Sequence, residues 1–161
     1  MKDKLIYIII IFFIISCKKY DEGPFMSLTS KNKRIDGVWR VETFSVNGND
    51  STELYYETTP VGISLYVHKG KKDVYTNYTD NQFWLATTLD NYFESYGNWK
   101  FSDDKRKLII DIYTTEETLP IYFFGKEKHS EWEITRLTCY ELWVESIIGN
   151  QLLEYKFEKR F

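Results

Sequence analysis

Two hydrophobic patterns divide the chain. Leu5 to Ile15 is an unbroken apolar run, with Lys2 and Lys4 before it and Ser16-Cys17-Lys18-Lys19 after it. From Gly37 onward, apolar and polar residues alternate in short stretches, the period of a strand with one buried face. The first stretch, Gly37 to Val46, closes on Asn47-Gly48. Ile63, Leu65 and Val67 then alternate with Ser64, Tyr66 and His68, and Val74, Thr76 and Tyr78 begin another strand after the Lys69-Gly70-Lys71 turn. Phe83 to Thr88 predicts a strand followed by a turn at Asp90-Asn91. Gly97 to Phe101 leads into the turn cluster Ser102-Asp103-Asp104-Lys105, after which Leu108, Ile110 and Ile112 oppose Lys107, Ile109 and Asp111. Three last strands are predicted over about 130–137, 140–147 and 152–159. Gly149-Asn150 joins the final pair, since both residues tolerate positive φ. Residues 49–60 and 114–129 read as loops, with Ile121 to Phe124 able to pair.

Eight or nine strands in sequential order, without an amphipathic helix of convincing length, predict an all-β antiparallel meander. One apolar face per strand is best satisfied by curling into a barrel, which removes exposed edges. A β-sandwich is the alternative, and the lack of internal repeats disfavours a propeller. Composition agrees: 5 Trp, 13 Tyr and 11 Phe accompany only 3 Pro and 8 Gly, and aromatic residues favour pleated, half-buried surfaces.

The N-terminal run has a different meaning. Its eleven residues would cover roughly 16 Å as a helix, about half of a bilayer core. That is short for a permanent span and suits a secretory signal, an uncleaved anchor being the alternative. Ile14-Ile15-Ser16-Cys17 resembles the lipobox of bacterial lipoproteins. Ile14 also occupies the position where cleavage without lipid would want a small residue. The resemblance implies cleavage between Ser16 and Cys17 and lipid attachment at Cys17. Residues 1–16 are then a signal peptide, 17–34 a lipidated N-terminus and tether, and 35–161 the folded domain. One acyl chain anchors only marginally, at about 0.8 kcal/mol per buried methylene, whereas the three chains implied here make release negligible. Lys18 after the cysteine favours the outer membrane over inner-membrane retention. Asp21-Glu22 resembles acidic tracts that route lipoproteins to the surface, diluted here by Lys18 and Lys19. The expected location is the cell envelope, at the periplasmic face or the cell surface of the outer membrane.

Removing residues 1–16 takes away Lys2, Asp3 and Lys4, so the net charge moves from −3 to −4. Interspersed charges of that balance give no footprint for nucleic acid. With Cys17 lipidated, Cys139 lacks an intramolecular partner and reads as a small buried residue rather than a nucleophile.

A family resemblance follows from three motifs. Gly37-Val38-Trp39, within Arg34 to Val41, resembles the Gly-x-Trp opening of lipocalin and lipocalin-like domains. Gly97-Asn98-Trp99-Lys100-Phe101 with its following turn resembles the mid-barrel hairpin of bacterial lipocalin-like lipoproteins, and Glu141-Leu142-Trp143 resembles their penultimate strand. The resemblance implies a barrel closed at one end by Trp39, with a late arginine, Arg136 or Arg160, packed over that indole.

An eight-stranded barrel either fills with side chains or holds one small ligand. The candidate lining is Leu65, Val67, Tyr78, Phe83, Trp99 and Ile110, which suits an apolar ligand; interdigitated rings that leave no cavity are the alternative. His129, Glu131 and Glu133 have strand spacing and suggest a metal site, but Trp132 and Ile134 opposite them make that face a solvated exterior, so no metal is expected. Asp103-Asp104 and Glu116-Glu117 fall in a turn and a loop. Phosphate-cradling, triad and zinc-type signatures are absent, and no cofactor is expected. The sequence therefore predicts a non-catalytic, lipid-anchored envelope protein. It would bind a small apolar ligand or act as an interaction module for another envelope protein, with an exposed aromatic patch around Tyr55, Tyr56, Tyr122 and Phe123. An envelope enzyme with dispersed catalytic residues is the remaining alternative.

Overall fold

The computed structural model describes residues 29–58, 64–68, 82–86, 94–114, 124 and 127–160, with residues 64–68, 82–86, 94–96 and 114 described by their backbone alone. The strand expected from Val74, the Asp90-Asn91 turn, and Ser16, Cys17, Tyr78, Tyr122 and Phe123 lie outside the described residues.

Nine strands are present among these residues: β1 (Gly37–Val46), β2 (Asn49–Asp50), β3 (Ser64–His68), β4 (Gln82–Ala86), β5 (Glu94–Phe101), β6 (Lys107–Thr114), β7 (His129–Leu137), β8 (Glu141–Ile148) and β9 (Gln151–Arg160). Two short helices accompany them, α1 (Lys31–Ile35) and α2 (Thr52–Thr58). The pairings are antiparallel in the order β2-β1-β3-β4-β5-β6-β7-β8-β9, and β9 also pairs with β1 from Val38↔Arg160 to Val46↔Leu153. The expected all-β antiparallel meander is the observed architecture.

Alternation in the sequence becomes alternation in burial. Leu108, Ile110 and Ile112 of β6 are buried, as are Leu153, Tyr155 and Phe157 of β9. Of three register shifts among the described residues, those on β1 and β7 reset the phase of burial. The β1–β9 register shifts between Val41 and Thr43, so Val41 and then Phe44 face the core. The β7–β8 register shifts between Ile134 and Arg136, so Ile134 is followed inward by Leu137. One extra residue on one strand is what a bulge supplies. The hairpin turns use left-handed backbone at Asn47 (φ 53°), Gly48 (φ 77°) and Gly149 (φ 63°).

Residues 49–60 depart from the expected polar loop. Asn49–Asp50 adds a two-residue strand to β1, and Thr52–Thr58 is helical. The reason lies at the edge of β1, which β3 pairs only from Gly37 to Arg40. Beyond Arg40 that edge still has backbone donors and acceptors to satisfy. The Ser51 amide donates to the Phe44 carbonyl (2.8 Å). Thr52 Oγ1 accepts from the Phe44 amide (2.9 Å) and donates to its carbonyl (3.3 Å). The Tyr56 hydroxyl donates to the Val41 carbonyl. Hydroxyls from α2 thus continue a ladder that β3 leaves unfinished.

The segment expected as tether likewise ends in structure. Ser30 caps α1 by accepting from the Lys33 amide, and Arg34 and Ile35 are buried.

Candidate functional site

Two places collect unusual side chains, one at each end of β1. The first surrounds the Gly-x-Trp motif. Trp39 is fully buried, and its indole Nε1 donates to the Ile35 carbonyl at the end of α1 (2.8 Å). Arg34 donates through Nη1 to the Leu137 carbonyl (2.6 Å), tying α1 to β7. Lys159 lies across the same end, its ammonium 4.9 Å from the Trp39 ring centroid and donating to the Arg34 carbonyl (2.9 Å). Gly37 makes that crossing possible. Its φ is 146°, a conformation that residues with a side chain rarely adopt, and a Cβ there would come 2.5 Å from Lys159 Cε. Burial pushes the Lys159 ammonium below the ordinary lysine range, against the opposing pull of Asp36 and Cys139.

The covering cation is therefore a lysine, not the expected Arg136 or Arg160. Arg160 is exposed, and Arg136 turns outward to Trp143, 5.0 Å from its ring centroid, while pairing with Glu141 (2.8 Å). Strand parity explains the choice. Leu153, Tyr155 and Phe157 face the core, so residue 159 falls on their side and residue 160 on the other.

The second place is an aromatic cluster in the core beside α2. Phe44 and Tyr155 have ring centroids 4.7 Å apart, Phe124 and Trp132 4.7 Å, and Phe124 and Phe157 5.1 Å. Tyr55, the buried residue of α2, enters this cluster 5.4 Å from Phe44 and 6.0 Å from Tyr155. Tilted and edge-to-face contacts at these distances are favourable for aromatic quadrupoles. The Trp132 indole is satisfied by donation to Ser130 Oγ (3.0 Å). The Tyr55 hydroxyl is buried without a hydrogen-bond partner, and burial, with Tyr56 nearby, pushes its phenol well above the ordinary tyrosine range. Tyr55 therefore corrects the expected surface patch: it is core, and Tyr56 is half-buried. A helix with one buried residue in seven leaves no apolar stripe, which is why periodicity missed it. The available signal was Asp50-Ser51-Thr52-Glu53, a helix-start sequence.

Of the six candidate lining residues, Trp99 and Ile110 are buried and are direct partners across β5 and β6. Leu65 pairs in backbone register with Trp39, Val67 with Gly37, and Phe83 with both Val67 and Gly97. Gly97 is itself a close approach: a Cβ would run into the Asp111 carbonyl and come 3.0 Å from Ile112 Cα.

The outer face carries the charged groups. His129 Nδ1 is 2.6 Å from Asp111 Oδ1, and Lys107 donates to Glu131 (2.8 Å). Lys107 holds the Glu131 carboxyl below its usual range, and Glu131 raises Lys107 in return. His129 and Glu131 are exposed, and among the described residues no group of three or more such side chains is placed to hold a metal. A groove of about 430 Å³ crosses this face beside Arg106, Glu133, Glu145 and Ile147. Trp143, also on β8, is flanked by Arg136 and by Lys156, whose ammonium is 4.3 Å from the ring centroid. Among the described residues, the polar and charged ones buried in the core are Arg34 and Ser130.

No family model and no curated protein matches the chain. Among solved structures, an uncharacterized protein from Bacteroides eggerthii aligns with a TM-score of 0.49 at 16% identity, covering 78% of this chain and 98% of that one. A lipocalin-like protein from Bacteroides uniformis aligns with a TM-score of 0.55 at 13% identity, covering 79% of this chain and 99% of that one. At such identity the likeness to the second protein speaks for architecture alone, and the architecture of this chain is lipocalin-like.

Proposed function

We propose that the chain is a non-catalytic, lipid-anchored protein of the cell envelope whose sheet closes into a barrel and binds a small apolar ligand. The observation that carries the reading is the chemistry of the core. Its described lining is aliphatic and aromatic, and the one buried charge among the described residues, Arg34, donates through Nη1 to the Leu137 carbonyl at the end of the sheet. Concave apolar surfaces with few polar groups are what small apolar ligands require. The β1–β9 ladder supports closure of the sheet. The order of Lys2, Lys4, the apolar run and Cys17 supports lipidation at Cys17, and Lys18 after the cysteine supports an outer-membrane location.

A second reading, an interaction module with a filled barrel, is favoured by the close-packed rings around Tyr155. Native mass spectrometry of the intact protein extracted from membranes separates the two. A stoichiometric small molecule released into organic solvent is expected for a ligand binder. A clean protein mass, with partners recovered by cross-linking on intact cells, would overturn ligand binding in favour of the second reading. The mass of the N-terminal peptide tests the anchor in the same sample.

A further inference from the structure

We infer that the Tyr55 ring is a built-in occupant of a binding site, filling a slot against Phe44 and Tyr155 that accepts an uncharged aromatic group when α2 moves aside. This rests on the ligand-binding reading and says where the ligand sits and what it must displace.

Three observations converge on α2. Tyr55 is its one fully buried residue, with the half-buried Tyr56 packed against the core beside it. The Tyr55 ring lies against other rings, Phe44 at 5.4 Å, Tyr56 at 5.5 Å and Tyr155 at 6.0 Å. Its hydroxyl is buried without a hydrogen-bond partner. A hydroxyl left that way forfeits its hydrogen bonds with water, so the plug is weaker than an equally buried phenylalanine would be. Apart from the half-buried Tyr56 ring, the rest of the helix gives little apolar hold, since Leu54 is 43% exposed. Its polar attachments are the Thr52 and Tyr56 hydroxyls on the β1 edge and the Arg40 guanidinium 5.9 Å from the Tyr56 ring centroid, and water can replace hydroxyl donors there once the helix lifts. The incoming group must be planar to lie against Phe44 and Tyr155 and uncharged, because among the described residues the one buried charge is Arg34, which is bonded to the Leu137 carbonyl. An incoming ring without a buried hydroxyl fits that slot better than Tyr55 does.

The test is fluorescence titration with N-phenyl-1-naphthylamine, an uncharged aromatic probe, on the full chain in nanodiscs. Wild type, Tyr55→Phe and Tyr55→Ala are compared, so that partition into lipid is common to all three. Tyr55→Phe removes the orphaned hydroxyl and strengthens the plug. It should weaken probe binding about fivefold or more, the factor that corresponds to about 1 kcal/mol. Tyr55→Ala empties the slot and should tighten binding. Amide exchange over Thr52–Thr58 should accelerate in wild type when the probe is added. Equal affinity of wild type and Tyr55→Phe, with α2 exchange unchanged by the probe, would overturn the plug while leaving ligand binding elsewhere intact. Absence of binding above the lipid background in wild type and both variants would overturn the ligand reading itself.

Discussion

Replacing Gly37 by alanine should damage the protein in two separable ways. The first is backbone strain. At φ 146° a residue with a side chain is in sparsely allowed territory, at a cost of about 1–3 kcal/mol. The second is a collision with Lys159, whose Cε would lie 2.5 Å from the new Cβ. If Lys159 swings out, it loses its bond to the Arg34 carbonyl and its place over Trp39. Such interactions are worth about 1.5–3 and 0.5–2 kcal/mol respectively. The ammonium is partly exposed and regains hydration on leaving, so the net loss is discounted to about 1 kcal/mol. Gly37→Ala alone should therefore cost about 2–4 kcal/mol, by adding that 1 to the strain. Lys159→Ala alone should cost about 1 kcal/mol, and the double variant no more than Gly37→Ala alone, because the colliding atoms are gone. Urea unfolding followed by tryptophan fluorescence reads this out. With a slope of about 2 kcal/mol per molar, the Gly37→Ala midpoint falls by roughly 1–2 M. If alanine at position 37 costs the same in both backgrounds, within about 0.3–0.5 kcal/mol, the crossing of Lys159 is not what the glycine is for.

Further outcomes are expected at other positions. Gly97→Ala should cost about 1–3 kcal/mol by forcing β5 away from the Asp111 and Ile112 backbone, a penalty typical of overpacking; hydrogen exchange should show the loss first along the β5–β6 ladder. The raised phenol of Tyr55 stays protonated in the fold while the unfolded chain releases its proton near pH 10. Its contribution to stability should thus be constant below that pH and fall by about 1.4 kcal/mol per unit above it. Tyr55→Phe should abolish that component of the alkaline slope, and identical slopes in the two proteins would contradict it. Because Lys107 holds Glu131 down, the contribution of Glu131 is present above the ordinary carboxylate value and disappears as pH falls through its lowered one. In Lys107→Ala the Glu131 carboxyl should titrate at higher pH by NMR. Cys17→Ser should abolish incorporation of radiolabelled palmitate into the chain.

Strands and helices were unequally legible. Period-two alternation located β1 over its full length and identified the inward faces of β6 and β9, because one apolar face per strand leaves a direct trace. It could not show the bulges after Val41 and Ile134, since an inserted residue changes parity without changing composition. The covering cation illustrates the same limit. The lipocalin resemblance implied Arg136 or Arg160, whereas parity along β9, readable from Leu153, Tyr155 and Phe157, selects Lys159. Tyr55 was misassigned because a ring among Ser, Thr and Glu residues looks like surface. What draws it inward is the unfinished edge of β1, a property of pairing between distant segments. Trp99 and Ile110 were placed correctly in the core by alternation alone.

The pairing of β1 with β9 also orders events in time. Val38 meets Arg160, so one edge of the first strand waits for the ninth. At typical synthesis rates of about 5–20 residues per second, some 6–24 s separate the appearance of the two strands. Throughout that interval β1 presents an unsatisfied edge and Trp39 lacks the lysine that covers it. A sheet built this way cannot join its first strand to its ninth before β9 has been made, so over that interval the nascent chain carries an open edge that only a distant segment can cover.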